Sequence, residues 1–358
     1  MHAAPSPLPR NRVARALVLA LLTALALTLA GPTASAHAAE GEVTWTVRTA
    51  ANDYGDARSS FTYGVNPGGE VQDAMVVANH GKTALRLAVY ASDGFTTDKG
   101  QLDLLTRDRK SVGIGAWVHA DKASVSIAPG RSAEIPFTVS VPENATPGDY
   151  VGGLLTSLRQ ADDAEGINVD RRLGIRVKLR VSGALNPALA VENPHVGYDG
   201  TADPFGRGDA TVTYTLHNTG NVVLSGNQEV TVEGPFGMFT ADAGTVAAPP
   251  ELLPGESWKM TVPVRDVAPS GRLTATVTVV PLVTDASGTT TARKAVQATA
   301  HGWAVPWTLL LLLLVLLAAA TAWFLLARRA RSRRKGREEA RVKRAVDEAL
   351  REKADSAA

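Results

Sequence analysis

Strict alternation of apolar and polar side chains runs through the middle of this chain. Four segments show it: residues 135–141, 175–181, 212–216 and 273–279. A period of two is typical of half-buried antiparallel strands, and clusters of Gly, Pro, Asn and Asp separate these segments. Residues 40–301 contain no long amphipathic helix pattern. The pattern predicts an all-β fold made of immunoglobulin-like β-sandwiches.

The N-terminus has the layout of a secretory signal peptide. Arg10, Arg12 and Arg15 precede an apolar run at residues 16–30, and small residues follow at 34–39. The run is too short to cross a bilayer, which needs about 20 apolar residues. We therefore predict a signal peptide over residues 1–39.

A second apolar segment lies near the C-terminus. Residues 302–327 carry no charge. The segment has Trp303 and Trp307 near its start and Trp323 near its end, and a dense run of Arg and Lys follows it. This predicts a transmembrane helix over residues 303–327. The positive-inside rule places the basic tail, residues 328–358, in the cytoplasm and the preceding domains outside. We expect a single-pass protein of the cell membrane.

The predicted cytoplasmic tail is helical, with one apolar face. Val342, Ala345, Val346, Ala349 and Leu350 fall on that face, among acidic and basic residues. The tail either lies on the membrane, pairs with another helix or frays without a partner.

Charge and cysteine content limit the partners and the chemistry. The net charge is +2, but the basic ends of the chain leave the exported part net negative. Nucleic acid is therefore not an expected partner. The chain has no cysteine, although export would allow disulfides to form, so its stability must come from hydrophobic cores.

Motifs of known catalytic and metal sites are missing from the exported part. Its histidines are isolated, and it contains no G-x-S-x-G elbow, P-loop or G-x-G-x-x-G. We predict a protein that is not an enzyme and has no catalytic residues, metal ligands or cofactor.

A weak internal repeat indicates two copies of the sandwich. Residues 129–139 match residues 254–264 in turn, spacing and alternation, and residues 76–81 resemble residues 215–220, each a strand that runs into an Asn-x-Gly turn. Unrelated sandwiches also reuse such turns. We predict a first sandwich domain over residues 40–183 and a second over residues 184–300.

A stretch rich in Pro and Gly is interpreted as a structural corner. Pro147 and Gly148 form a tight turn, and Tyr150 begins the next strand with its hydroxyl placed to bond backbone a few residues upstream. This is the tyrosine corner of immunoglobulin-like sandwiches. Gly152 and Gly153 inside that strand indicate either a bulge or a close approach of backbone.

Several short motifs in a fixed order resemble a known family. They are F-T-Y-G-V-N-P-G-G at 61–69, A-S-D-G-F-T-T-D-K-G at 91–100, Trp117-Val118, Pro129-Gly130 and V-P-E-N-A-T-P-G-D-Y-V-G-G at 141–153. The order is similar to the DUF916 family, the N-terminal domain of WxL-interacting proteins of Gram-positive bacteria. The resemblance covers residues 44–181.

The resemblance implies a cell-surface protein whose first domain binds peptidoglycan or another cell-wall polymer, with a WxL-type or other surface protein as partner. Exposed aromatic rings can stack on the apolar faces of sugars, so Tyr54, Tyr63 and Phe95 are candidate ligand contacts. The leading prediction is a non-enzymatic, membrane-anchored binding protein. The alternative is an adhesin or an assembly chaperone-like docking protein that accepts a partner strand at an open sheet edge.

Overall fold

A computed structural model describes residues 44–162, 167–284 and 289–355 of the chain. The predicted signal peptide, residues 1–39, lies outside these residues. From residue 45 to residue 304 the described chain is mostly strand, arranged in four sheets. The all-β prediction is confirmed for this part of the chain.

The first sandwich consists of two sheets that enclose one hydrophobic core. The sheets have the strand orders β1-β3-β8-β6 and β2-β10-β9-β4-β5, with β7 also beside β4. Every pairing is antiparallel except that of β2 with β10. A one-turn helix, α1, precedes β6. The elements are β1 Trp45–Thr49, β2 Phe61–Val65, β3 Glu70–Asn79, β4 Leu85–Thr96, β5 Leu102–Leu104, α1 Ile114–Trp117, β6 Val118–Ala120, β7 Ser124–Ile127, β8 Ser132–Ser140, β9 Gly148–Asp162 and β10 Ile167–Val181.

The second sandwich repeats this plan with its own core. Its sheets have the orders β11-β12-β15 and β14-β13-β16-β17, with β18 also beside β16. The strands are β11 Leu189–Asp199, β12 Gly208–Asn218, β13 Leu224–Glu233, β14 Ala241–Asp242, β15 Ser257–Val267, β16 Gly271–Thr284, β17 Thr290–Ala292 and β18 Val296–Ala304.

The alternating residues of the strands form the two cores. In the first sandwich Phe61, Phe137 and Val177 are buried in one cluster, whereas Tyr214 and Val277 belong to a separate cluster in the second. Residues 182–188 connect the two sandwiches. The domain boundary between residues 183 and 184 stays a prediction.

A buried asparagine closes the end of one strand in the first sandwich. Asn79 ends β3, and its Nδ2 donates to the carbonyls of Thr83 (2.8 Å) and Ile127 (3.0 Å). Its Oδ1 accepts the N–H of Gly81 (2.8 Å). One side chain therefore ties the turn after β3 to the end of β7, and its burial makes each bond costly to lose.

The second sandwich contains the same arrangement at Asn218, the last residue of β12. Asn218 Nδ2 donates to the carbonyls of Val222 (2.8 Å) and Leu252 (2.9 Å), and its Oδ1 accepts the N–H of Gly220 (3.1 Å). Two of the partners lie two and four residues after each Asn, and the third lies two residues before a Pro-Gly pair in each sandwich. The repeat seen in the sequence therefore extends to the hydrogen bonds.

A long helix, α2, follows the second sandwich and spans Trp307–Asp355. Among the described residues it is the helix that is long and apolar enough to cross a bilayer. It begins later than the predicted residue 303, because Trp303 and Ala304 still pair with β16. It also continues through most of the predicted tail. Only Val305 and Pro306 separate it from β18.

Candidate docking edge and its surroundings

Part of β10 has an unpaired side. Along its whole length β10 pairs with β9, from Ile167 opposite Asp162 to Val181 opposite Gly148. On its other side β2 covers only residues 177–181. No strand among the described residues pairs with that side of residues 167–176, which we call the open β10 edge.

The register shows which backbone groups point outward from this edge. The N–H of Ser182 donates to the Val65 carbonyl of β2 (2.9 Å). The backbone N–H and C=O groups of even-numbered residues of β10 therefore point to the side on which β2 lies. Arg172 and Gly174 therefore direct their N–H and C=O groups away from β9. The carbonyl of Leu173 instead faces β9, where it accepts a bond from Thr156 Oγ1 (3.0 Å). Unpaired strand groups of this kind are a template for another strand.

Over residues 170–176 the inward face carries two apolar side chains beside Arg171, and the outer face is polar. Leu173 continues the inward row of Ile175 but is 40% exposed. On the outer face the Arg172 guanidinium donates to the carbonyl of Leu104 (3.2 Å) and lies 3.9 Å from Asp103. The exposed leucine is where an apolar side chain of an added strand would pack.

Two other long edge strands are protected. Pro194 interrupts β11 beside a shift in register, and Pro263 lies within β15. A proline removes a ladder donor, which is a common way to block edge pairing. The described part of β10, by contrast, contains no proline.

An ion pair at the base of β10 accepts a hydrogen bond from the second sandwich. The Arg180 guanidinium donates to both carboxylate oxygens of Asp149 (2.6 and 2.8 Å), and the backbone N–H of Val223 donates to the same carboxylate (2.9 Å). Farther along β10, Lys178 lies 3.7 Å from Glu251 of the second sandwich. Lys178 and Arg180 are thus paired with acidic groups at the junction.

Asn221 of the second sandwich provides the neighbouring contact. Its Nδ2 donates to the carbonyls of Pro147 (2.8 Å) and Ala184 (3.0 Å), and its own carbonyl accepts the N–H of Asp149 (2.8 Å). Gly148 has φ +145°, and any side chain there would overlap the Asn221 carbonyl. Gly148 therefore serves the junction as well as the turn.

The rest of the predicted corner is a packing site. The Tyr150 hydroxyl donates to the carbonyl of Thr146 (2.9 Å), four residues upstream, and its ring packs on Trp117 with centroids 4.5 Å apart. The pairings of Gly152 and Gly153 with β4 and β10 show no register shift. Of the two interpretations, a close approach of neighbouring chain explains these glycines, since a Cβ at Gly152 would overlap β4 backbone.

The three candidate ligand contacts occupy different environments. Tyr63 is buried, with 4% of its surface exposed, and contributes to the core. Tyr54 is 49% exposed, and its ring meets the edge of Tyr63 at 5.4 Å. Phe95, 36% exposed, lies in β4 opposite Asp103 and has no ring contact with the other two among the described residues.

A buried carboxylate holds the region beneath Tyr54. Asp73 accepts bonds from Arg58 (2.7 Å), the Tyr63 hydroxyl (2.6 Å) and Asn52 Nδ2 (2.6 Å). Burial raises the pKa of Asp73, but the bonds from Arg58 and Tyr63 outweigh it and hold the pKa below its usual value. Burial and the bond to Asp73 raise the pKa of Tyr63. The Arg58 guanidinium also lies 5.7 Å from the centroid of the Tyr54 ring.

No protein-family model and no curated protein matches the chain. Among solved structures, the chain is similar to the class 5 fimbriae chaperone CfaA, with 10% identity over 71% of this chain and 99% of that one, at a TM-score of 0.35. The Pseudomonas aeruginosa CupB2 chaperone is 12% identical over 68% and 97%, at 0.29. A PapD-like domain of human CEP192 is 13% identical over 39% and 86%, at 0.25. At these TM-scores the likenesses do not bear on function.

Proposed function

We propose that this chain is a non-enzymatic surface protein that docks an extended segment of a partner protein at the open β10 edge. In this proposal a signal peptide exports the two immunoglobulin-like domains, and α2 anchors them in the membrane with the basic tail in the cytoplasm. The observation that carries the proposal is the unpaired side of residues 167–176 on a strand otherwise built into the first sandwich.

Strand addition explains how such an edge would bind. The outward groups of Arg172 and Gly174 supply backbone hydrogen bonds to the partner, which give affinity without regard to sequence. The half-exposed Leu173 and the row behind it favour apolar side chains at alternate positions of the partner. The expected partner is therefore an extended segment with alternating apolar residues.

A proline substitution tests the backbone role directly. Arg172→Pro removes the outward N–H, which β9 does not use, and proline is tolerated at such edge positions. Arg172→Ala is the matched control, because it removes the same side chain and keeps the N–H. The full chain in detergent micelles is presented with a displayed library of random ten-residue peptides.

The proposal expects enriched peptides that bind the wild type and Arg172→Ala but not Arg172→Pro. Hydrogen exchange of the complex should then show added protection at the amides of Arg172 and Gly174. Peptides that bind the proline variant equally well, or a library that yields no binder, would refute docking at this edge.

A second candidate function is binding of peptidoglycan, and the exposed ring of Tyr54 favours it. In this proposal the contacts with Tyr63 and Arg58 hold the ring in one orientation, as a stacking site for a sugar requires. Membership of the DUF916 family and a WxL-type partner remain predictions from the sequence.

Sedimentation of the full chain with insoluble peptidoglycan should decrease for Tyr54→Ala but not for Phe205→Ala, an exposed aromatic of the second sandwich. Equal sedimentation of the two variants would exclude a Tyr54 site.

A further inference from the structure

One end of the second sandwich, where the chain enters α2, carries large apolar side chains that no other described element covers. They are Phe205 (80% exposed), Phe236 (98%), Met238 (49%), Phe239 (55%), Trp303 (72%) and Trp307 (74%). Isolated exposed apolar residues are ordinary, but several on one end of a domain indicate a binding surface. We call this set the apolar end.

Strand register places these residues at the same end. Gly271 begins β16 opposite Ala304, the last residue of β18. Glu233 ends β13 opposite Thr274 of β16, only three residues from Gly271. The turn at residues 234–240, which contains Phe236 and Phe239, therefore leaves the sheet beside the point where the chain enters α2.

The loop of Phe205 lies at this end too. It joins β11 to Gly208, which begins β12 opposite Val267, the last residue of β15. The Thr308 hydroxyl of α2 donates to the Thr201 carbonyl of this loop (3.4 Å). The loop thus contacts the first turn of the helix directly.

The backbone around the two turn phenylalanines is unusual. Phe236 has φ 59° and Phe239 has φ 58°, in the left-handed region that bulky residues rarely adopt. The turn is closed by the Gly234 N–H, which donates to the Met238 carbonyl (2.7 Å). Strained positions of this kind concentrate where a protein has a function to perform.

We propose that the apolar end is a membrane-contact surface, in which Phe205, Phe236 and Phe239 insert into the headgroup region of the bilayer that α2 crosses. We choose a bilayer as the partner of this surface because the apolar end is continuous with α2. Trp303 lies four residues before the helix, Trp307 begins it, and the Phe205 loop is hydrogen-bonded to its first turn. Aromatic side chains prefer this depth of a bilayer. The proposal rests on α2 spanning the membrane and does not depend on the β10 edge.

One basic residue beside the apolar end has its charge compensated within the protein. Arg207, beside the Phe205 loop, is paired with Asp266 at 2.9 Å. A compensated pair gives little attraction to a charged surface. Contact should therefore also form on a bilayer of phosphatidylcholine alone.

Spin labels provide the test, since the chain has no cysteine of its own. Single variants Phe205→Cys, Phe236→Cys and Phe239→Cys are labelled in the full chain and reconstituted in phosphatidylcholine nanodiscs. Val112→Cys, an exposed apolar site of the first sandwich, and Thr261→Cys, exposed on β15, are the matched controls. Accessibility to oxygen, which concentrates in lipid, is compared with that to a water-soluble nickel chelate.

The oxygen-to-nickel ratio should be several times higher at the three phenylalanine positions than at the two controls. Ratios equal to the controls would place the apolar end in water and overturn the proposal. Labels shielded from both reagents would indicate a protein partner or a second copy instead, which also overturns it. Release of the reconstituted chain by alkaline carbonate would remove the premise of a membrane-spanning helix, whereas loss of peptide binding at β10 would leave this proposal unaffected.

Discussion

Replacing Asn218 with alanine should selectively destabilise the second sandwich. The substitution removes two bonds donated by Nδ2 and one accepted by Oδ1, all inside the protein. A neutral hydrogen bond contributes about 1 kcal/mol net, so the three together correspond to about 3 kcal/mol. Asn79→Ala should have the same effect on the first sandwich, because Asn79 makes the matching bonds.

Urea unfolding of the full chain in micelles measures this loss, with hydrogen exchange and mass spectrometry reporting each sandwich separately. With a urea dependence of about 2 kcal/mol per molar, the midpoint of the affected sandwich should fall by about 1.5 M. Asn227→Ala, at an exposed position of β13, is the control and should change stability by less than about 0.5 kcal/mol.

Two results would refute the reasoning. A loss below about 1 kcal/mol for either buried Asn would mean that the three bonds are not worth their net value. An equal shift of both sandwiches in one variant would mean that they unfold as one unit, which is contrary to their separate cores.

Three further predictions follow from single contacts. The pKa of Asp73 is lower in the folded chain than in the unfolded chain, where it is about 3.9. Its carboxylate therefore stabilises the fold at pH values above about 3.9, and this contribution is lost as pH falls through the folded pKa. Asp73→Asn should flatten the acid limb of a stability–pH profile. Asp149→Ala should broaden the distance distribution between spin labels at residues 112 and 261, measured by pulsed EPR, because it removes the acceptor of Arg180 and Val223. Tyr150→Phe should cost about 1 kcal/mol in urea unfolding, since the bond to Thr146 is lost and the ring packing is kept.

The sequence is informative wherever structure follows from local pattern. Alternation at residues 175–181 predicts a half-buried strand because side chains of a strand alternate between its faces, and this segment is the end of β10. The two Asn-x-Gly turns predict a repeat because the same local bonds close both. The hydroxyl bond of Tyr150 spans four residues and is equally local.

Long-range pairing explains what the sequence does not reveal. The open β10 edge exists because β2 begins only opposite Val177, and nothing within either strand records that register. Tyr63 is a candidate ligand contact by sequence, but it is buried and its hydroxyl donates a hydrogen bond to Asp73 of β3. The one available signal is Asp73 itself, an acid that directly precedes the apolar run at residues 74–78. The sequence likewise identifies Gly148 only as a turn residue, because its close contact with Asn221 depends on the packing of the second sandwich.

The short link between β18 and α2 has a mechanical consequence. β18 pairs with β16 from Val296 to Ala304, and only Val305 and Pro306 precede the helix. With α2 in a membrane, as proposed, a pull on the sandwich away from it would load that ladder along the strand direction, so its hydrogen bonds would share the force. With almost no slack to take up, tension applied by a docked partner would reach the helix directly.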